Sequence, residues 1–272
     1  MRYIYATLML LVTLSLTACF DNKEEVTAVS PETKSVLKVG MELAYPPFEM
    51  SDKNGKPTGV SVDLAYALGK YLDKEVVIEN IAWDGLIPSL KTKKVDIIIS
   101  SMTINDERKK TIDFSDGYAQ SSLAILANKN SSIKVINDLN VEGKTVAVKK
   151  GSTGHLYARD NLKNAKVLVF DKESACVLEV VQGKADGFIY DQLTIYKNWV
   201  QHKDTTEPIL ASFQKDFEKW GIALRQNEPE LKKSINEFIV QSKKDGTFDK
   251  LSYTYLKEAR ETFDKLNIPF FF

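Results

Sequence analysis

Apolar and polar positions along the chain switch between two periods, and the switches mark the elements. The apolar run LKVGMEL, from residue 37, reads as a strand that stops at Tyr45-Pro46-Pro47-Phe48, where two prolines end regular pairing. Asn54-Gly55 is a hairpin signal between FEM and the segment after Pro57. Leu64, Leu68 and Leu72 recur four residues apart and predict a helix over 61–72. A strand at VVIEN, a helix over 85–93 and a doubly buried strand over 95–100 (VDIIIS) follow. A second unit repeats the scheme, with strands at 144–148, 167–170 and 185–190. Its helices fall at 155–162 and 174–182, and a Gly-Ser-Thr-Gly loop at 151–154. LKTKKVDIIIS and VVQGKADGFIY share a helix end, a Lys, an Asp and then a strand. Strand and helix in alternation predict an α/β chain of two lobes, each a mostly parallel sheet flanked by helices. Leu231, Ile235, Phe238 and Ile239 form one helical stripe that returns to the first unit. Lobe 1 is therefore expected over 36–121 plus 222–272 and lobe 2 over 122–221, with crossing strands near 121–127 and 220–225.

The N-terminus has a different pattern. Behind Arg2, residues 4–16 form an apolar stretch of thirteen residues, against about 20 needed to span a bilayer, so 1–18 reads as a signal peptide. It ends in Leu16-Thr17-Ala18-Cys19, which resembles the lipobox of bacterial lipoproteins, with Cys19 as the lipidated residue. Residues 19–35 read as the anchor and a polar linker. The expected location is periplasmic or at the cell surface, held to the membrane through that lipid alone.

Charge narrows the function. Lys+Arg and Asp+Glu number 37 each, so the basic excess that phosphate neutralisation requires is missing and no nucleic-acid partner is expected. His155 and His202 lie far apart and the chain has two Cys, so neither a metal site nor a cofactor is expected. Cys176, in an apolar helical stretch, reads as a buried small hydrophobe.

In open parallel sheets, ligands lie beyond the carboxyl ends of the strands. Those ends present Glu42 and Tyr45, then Trp83, then Ser101-Met102-Thr103 followed by Arg108. The second unit adds Lys149, the loop holding Ser152 and Thr153, and Asp191. An Arg fork, hydroxyls and helix N-termini suit a carboxylate. An Asp suits an ammonium, and two aromatics can wall the space between. Both poles together match the backbone of a free α-amino acid.

The stretches YPPFEM with GVSVDLAYAL, DGLIPSLKTKKVDIIISSMTINDERKKTIDFSDGY, GKTVAVKKGSTG, KADGFIYDQ and NEFIVQSKKDGTFDKL carry a resemblance. Over roughly Val36 to Leu256 the chain resembles the extracytoplasmic amino-acid-binding proteins of ABC importers, solute-binding protein family 3. The resemblance implies a periplasmic-binding-protein-like (type II) fold with the ligand in the interlobe cleft. It implies that Arg108 binds the substrate carboxylate with help from Thr103 and Thr153, and that Asp191 and the Ser101 carbonyl take the ammonium. Tyr45 and Trp83 would sandwich the side chain, with Glu42 and Lys149 setting selectivity. The implied function is a monomeric, non-enzymatic binding protein that delivers an amino acid, basic first and polar neutral next, to a permease and its ATPase. Two alternatives stay open: a lyase on the same fold, like cyclohexadienyl dehydratase, and a ligand-presenting sensor. A lyase needs a proton donor in the cleft, and Glu42 is the one extra candidate. Tyr190 beside the aspartate and the extension 257–272 (KEARETFDKLNIPFFF) depart from the family pattern, and no role for the extension follows from the sequence.

Overall fold

A computed structural model describes residues 35–272. The signal peptide, Cys19 and nearly all of the linker lie outside the described residues. Among the described residues, no helix is long and apolar enough to cross a membrane.

Two five-stranded sheets of matching design organise the chain. In the first, Val36–Met41 pairs in parallel with Glu75–Asn80 on one side and Ile97–Ile98 on the other. Ala223–Leu224 and Asp113–Phe114 complete it, Ala223–Leu224 running antiparallel to both its neighbours. In the second, Thr145–Lys149 lies between Lys166–Phe170 and Gly187–Asp191, both parallel to it. Leu123–Asn128 and Thr206–Ile209 then follow, each antiparallel to its neighbour. The strand predicted over 95–100 is regular only at Ile97–Ile98, although Ile99 still donates its N–H to the Gly40 carbonyl at 3.2 Å. Between the sheets, Ala119–Ser121 pairs antiparallel with Glu218–Trp220. The crossing strands therefore overlap the predicted segments only at Ser121 and Trp220, because Leu123–Asn128 and Ala223–Leu224 are committed to the two sheets.

The internal repeat has a physical basis. Lys93 and Gly183 end their helices at φ 62° and 70°, and three residues later an Asp opens the strand. Asp96 accepts from the Lys38 N–H at 2.9 Å, and Asp186 from the Thr145 N–H at 2.8 Å. Each Asp thus satisfies a backbone donor at the start of the neighbouring strand, where the ladder cannot. Lys144 supports Asp186 at 2.9 Å, and Arg225 lies 3.7 Å from Asp96. Asp186→Ala should lower the unfolding free energy by about 1–3 kcal/mol, the cost of an unmet donor. Urea denaturation would check this, and a change below a few tenths of that value would refute the role.

Helices cover the sheets with their apolar stripes. The helix Pro229–Lys244 buries Ile235, Phe238 and Ile239 in the same cluster as Leu37, Val39, Leu64 and Leu68, on the first sheet. The helix Lys257–Leu266 adds Ala259 and Phe263 to that cluster. Cys176 is buried with Ala147, Val180 and Phe188 against the second sheet, and burial pushes its thiol up to about 12.

Candidate functional site

Strand ends from both sheets converge on a cavity of about 50 Å³. Arg108 comes from the first-sheet side, on the short helix Asp106–Lys109, whose start is capped by the Asn105 side chain accepting from the Arg108 N–H at 2.9 Å. It is 6% exposed. Its guanidinium donates to the Thr103 carbonyl at 2.6 Å and, across the cleft, to the Gly151 carbonyl at 3.1 Å. Gly151 presents that carbonyl from φ 69°, a conformation that favours glycine. Burial pulls the Arg108 pKa down to about 10, with the Glu218 carboxylate acting the other way, so the group stays cationic at neutral pH.

Asp191 faces it from the second-sheet side, at the end of the strand Gly187–Asp191 and the start of the helix Gln192–Gln201. One carboxylate oxygen accepts the Thr194 N–H at 3.0 Å, as an N-cap does. The other, Oδ2, is buried without a hydrogen-bond partner. Burial raises the Asp191 pKa, while the Tyr45 hydroxyl and the helix N–H groups oppose it.

Of the remaining residues predicted for the site, Glu42, Tyr45, Trp83, Ser101, Ser152 and Thr153 line the cavity, as does Thr103. Tyr45 is buried and stacks on Phe48 at 5.4 Å. Ser152 caps the helix Thr153–Asn161 by accepting the His155 N–H at 3.2 Å, which starts that helix two residues earlier than its apolar pattern suggests. Met102 is a correction. The backbone turns at Ser101, φ 47°, and alternation sends Ser101 and Thr103 toward the cavity and Met102 away from it. Met102 is 1% exposed and packs with Ile81, Leu86 and Phe114.

Lys149 does not line the cavity. Its ammonium forms a buried ion pair with Glu42 and lies 5.4 Å from the Trp83 ring centroid, while the Arg108 guanidinium lies 5.3 Å from the same ring. Trp83 thus packs against two cations. Lys150 turns outward to Asp84 at 2.9 Å, and Arg159 reaches Glu107 at 2.7 Å. All three pairs join a residue on the first-sheet side to one on the second-sheet side.

Two acids in the cavity were not anticipated. Glu49, on the strand Glu49–Ser51, is 1% exposed and accepts from the hydroxyls of Ser61 at 2.6 Å, Ser101 at 3.1 Å and Ser100 at 3.3 Å. Burial pushes it up to about 8 against those donors. Glu218, in the crossing strand, accepts from the Thr103 hydroxyl at 2.9 Å and the Thr153 hydroxyl at 3.0 Å, both on Oε2. The signal for Glu49 was an acid inside an apolar stretch, YPPFEM. Glu218 sits in FQKDFEKW, which shows no period. Trp220 and Tyr190 also line the cavity.

A family model of bacterial extracellular solute-binding proteins, family 3, matches residues 37–258. The L-cystine-binding protein TcyJ of Escherichia coli K12 is 34% identical over 221 residues, 80% of this chain and 82% of the relative. A solved ancestral arginine-binding protein bound to arginine is 36% identical with a TM-score of 0.75, over 82% of this chain and 99% of that one. The ancestral amino acid-binding protein AncCDT-1, described as a precursor of cyclohexadienyl dehydratase, is 38% identical with a TM-score of 0.73, over 82% and 96% of the two chains.

Proposed function

The chain belongs to the bacterial extracellular solute-binding proteins, family 3, and we propose that it is the substrate-binding component of an ABC importer that takes one free L-amino acid. The observation that carries this is that the buried Arg108 guanidinium and the buried Asp191 carboxylate, whose Oδ2 has only the Tyr45 hydroxyl beside it, line one cavity from the sides of different sheets. A buried unpaired charge costs several kcal/mol, and a zwitterion supplies the opposite charge to each. A ligand that touches both sides favours the closed form over the open one, and the closed form is what a permease with its ATPase would recognise. The protein acts as a monomer, exported and tethered through Cys19.

Side-chain preference follows from the charges around the cavity. Arg108 and Lys149 face three carboxylates, Glu42, Asp191 and Glu218, while Glu49 keeps its proton at neutral pH and adds no charge. The acid excess favours a basic side chain. Because Glu42 is already paired with Lys149, a neutral polar end carrying a donor and an acceptor side by side is next. The relatives named for cystine and arginine support this range. A thermal-shift panel of the twenty amino acids plus cystine tests it. Basic and polar neutral ligands should raise the midpoint, and a rise with Asp and Glu alone would overturn the preference.

Glu49 keeps one rival alive. A buried acid held protonated up to about pH 8 inside the cavity is the kind of donor a lyase requires. Binding without turnover remains our reading, since Asp191 is committed to the ammonium. Formation of an aromatic product from prephenate or arogenate would reverse it.

A further inference from the structure

Residues beyond 258 lie outside the range matched by the family model, yet the segment after the helix Lys257–Leu266 folds back onto the strands that join the two sheets. Phe271 is 2% exposed. Its ring stacks on Trp220, with centroids 5.6 Å apart and planes at 30°, and meets Phe48 edge-on at 5.0 Å and Phe263 at 5.3 Å. Phe48 in turn lies edge-on to Trp220 at 4.8 Å and stacks on Tyr45. Trp220 and Tyr45 are walls of the cavity, and Phe271 backs Trp220 directly while Phe48 lies between Phe271 and Tyr45. The backbone is pinned at the same place. Gln120, in the middle of the strand Ala119–Ser121, donates its N–H to the Phe271 carbonyl at 2.8 Å and its side-chain amide to the Phe270 carbonyl at 3.0 Å. Arg260 holds the Phe270 ring from above, with Cζ 4.2 Å from its centroid. One joining strand is thus gripped by hydrogen bonds and the other by a ring.

We propose that Phe271 is a positioning residue for ligand binding, fixing the Trp220 wall from behind, and that the Gln120 clamp makes residues 270–272 part of the binding apparatus. The inference rests on the amino-acid-binding reading above. A ring backed by a close-packed ring has one place to be. Removing the backing leaves a void into which the wall can relax, and the indole forfeits dispersion attraction on that side. A wall that must be ordered by the ligand costs affinity that a pre-ordered wall does not.

The test uses two readouts. Calorimetric titration of Phe271→Ala with the best ligand of the thermal-shift panel, in protein whose far-UV circular dichroism matches wild type, should show binding weaker by tenfold or more. Phe271→Leu, which refills most of the volume, should recover most of that loss. Emission from Trp220, isolated by Trp83→Phe and Trp199→Phe, should shift to the red in ligand-free Phe271→Ala and return in Phe271→Leu. Affinity within twofold of wild type in Phe271→Ala overturns the proposal. If the wild-type protein binds no amino acid, the binding reading fails by itself. The Trp220 emission then decides the positioning claim alone, a red shift supporting it and an unshifted spectrum removing it.

Discussion

Arg108→Ala weakens amino-acid binding by roughly 10²- to 10⁴-fold, the equivalent of about 3–5 kcal/mol for leaving a buried charge without its partner. The size of the effect comes from burial, because the guanidinium is 6% exposed and its neighbours are largely excluded from water. In the protein as it stands, the guanidinium already donates to the Thr103 and Gly151 carbonyls, which fixes the fork in the orientation our proposal requires for a carboxylate. Arg108→Lys keeps the charge but not the planar fork, so it falls between the alanine variant and wild type. Isothermal calorimetry with the preferred ligand measures all three. Binding of the alanine variant within tenfold of wild type would show that the carboxylate is held elsewhere.

The second large effect is a pH dependence. Glu49 holds its proton up to about pH 8 in the folded protein, against an ordinary value of 4.5. Between those two pH values the folded state binds a proton that the unfolded chain has released, so stability falls as pH rises through that window and is flat on either side. The full span corresponds to about 5 kcal/mol. The Glu42 carboxylate pushes in the same direction as burial, while the hydroxyls of Ser61, Ser100 and Ser101 oppose it. Urea unfolding at pH 5 and pH 8 should show wild type losing several kcal/mol more than Glu49→Gln, and parallel curves would contradict the assignment. Ligand binding reads the same group. A cation in the cavity favours the ionised acid, so binding at pH 7 should release up to about one proton, visible as a dependence of enthalpy on buffer. The Glu49→Gln difference separates its share from that of Asp191, which burial also raises.

Local pattern carried most of the fold and part of the site. Apolar spacing placed both sheets and the returning helix, since each strand or stripe has to bury one face and the period records which. Arg108 and Asp191 were legible because one lies in the segment after a strand and the other at a strand's carboxyl end. Capping shifted two boundaries: Ser152 starts its helix earlier than the apolar pattern alone suggests, and Asp191 closes a strand and opens a helix at once. Long-range pairing was not legible. Glu42 and Lys149 were both expected to set selectivity for a ligand's side chain, but 107 residues apart in sequence they neutralise each other. No local signal encodes that contact. Glu218 was hidden for a related reason, since its partners Thr103 and Thr153 come from elements on opposite sides of the cleft.

Glu218 changes what affinity means for this cleft. Its carboxylate already satisfies two hydroxyls, one from each side, so the protein carries a stand-in for its own cargo. Any carboxylate seeking those hydroxyls must evict the resident one, and the net gain there is a difference between two bonds of like kind. Discrimination therefore rests on what the resident group cannot supply, the positive pole that Asp191 lacks.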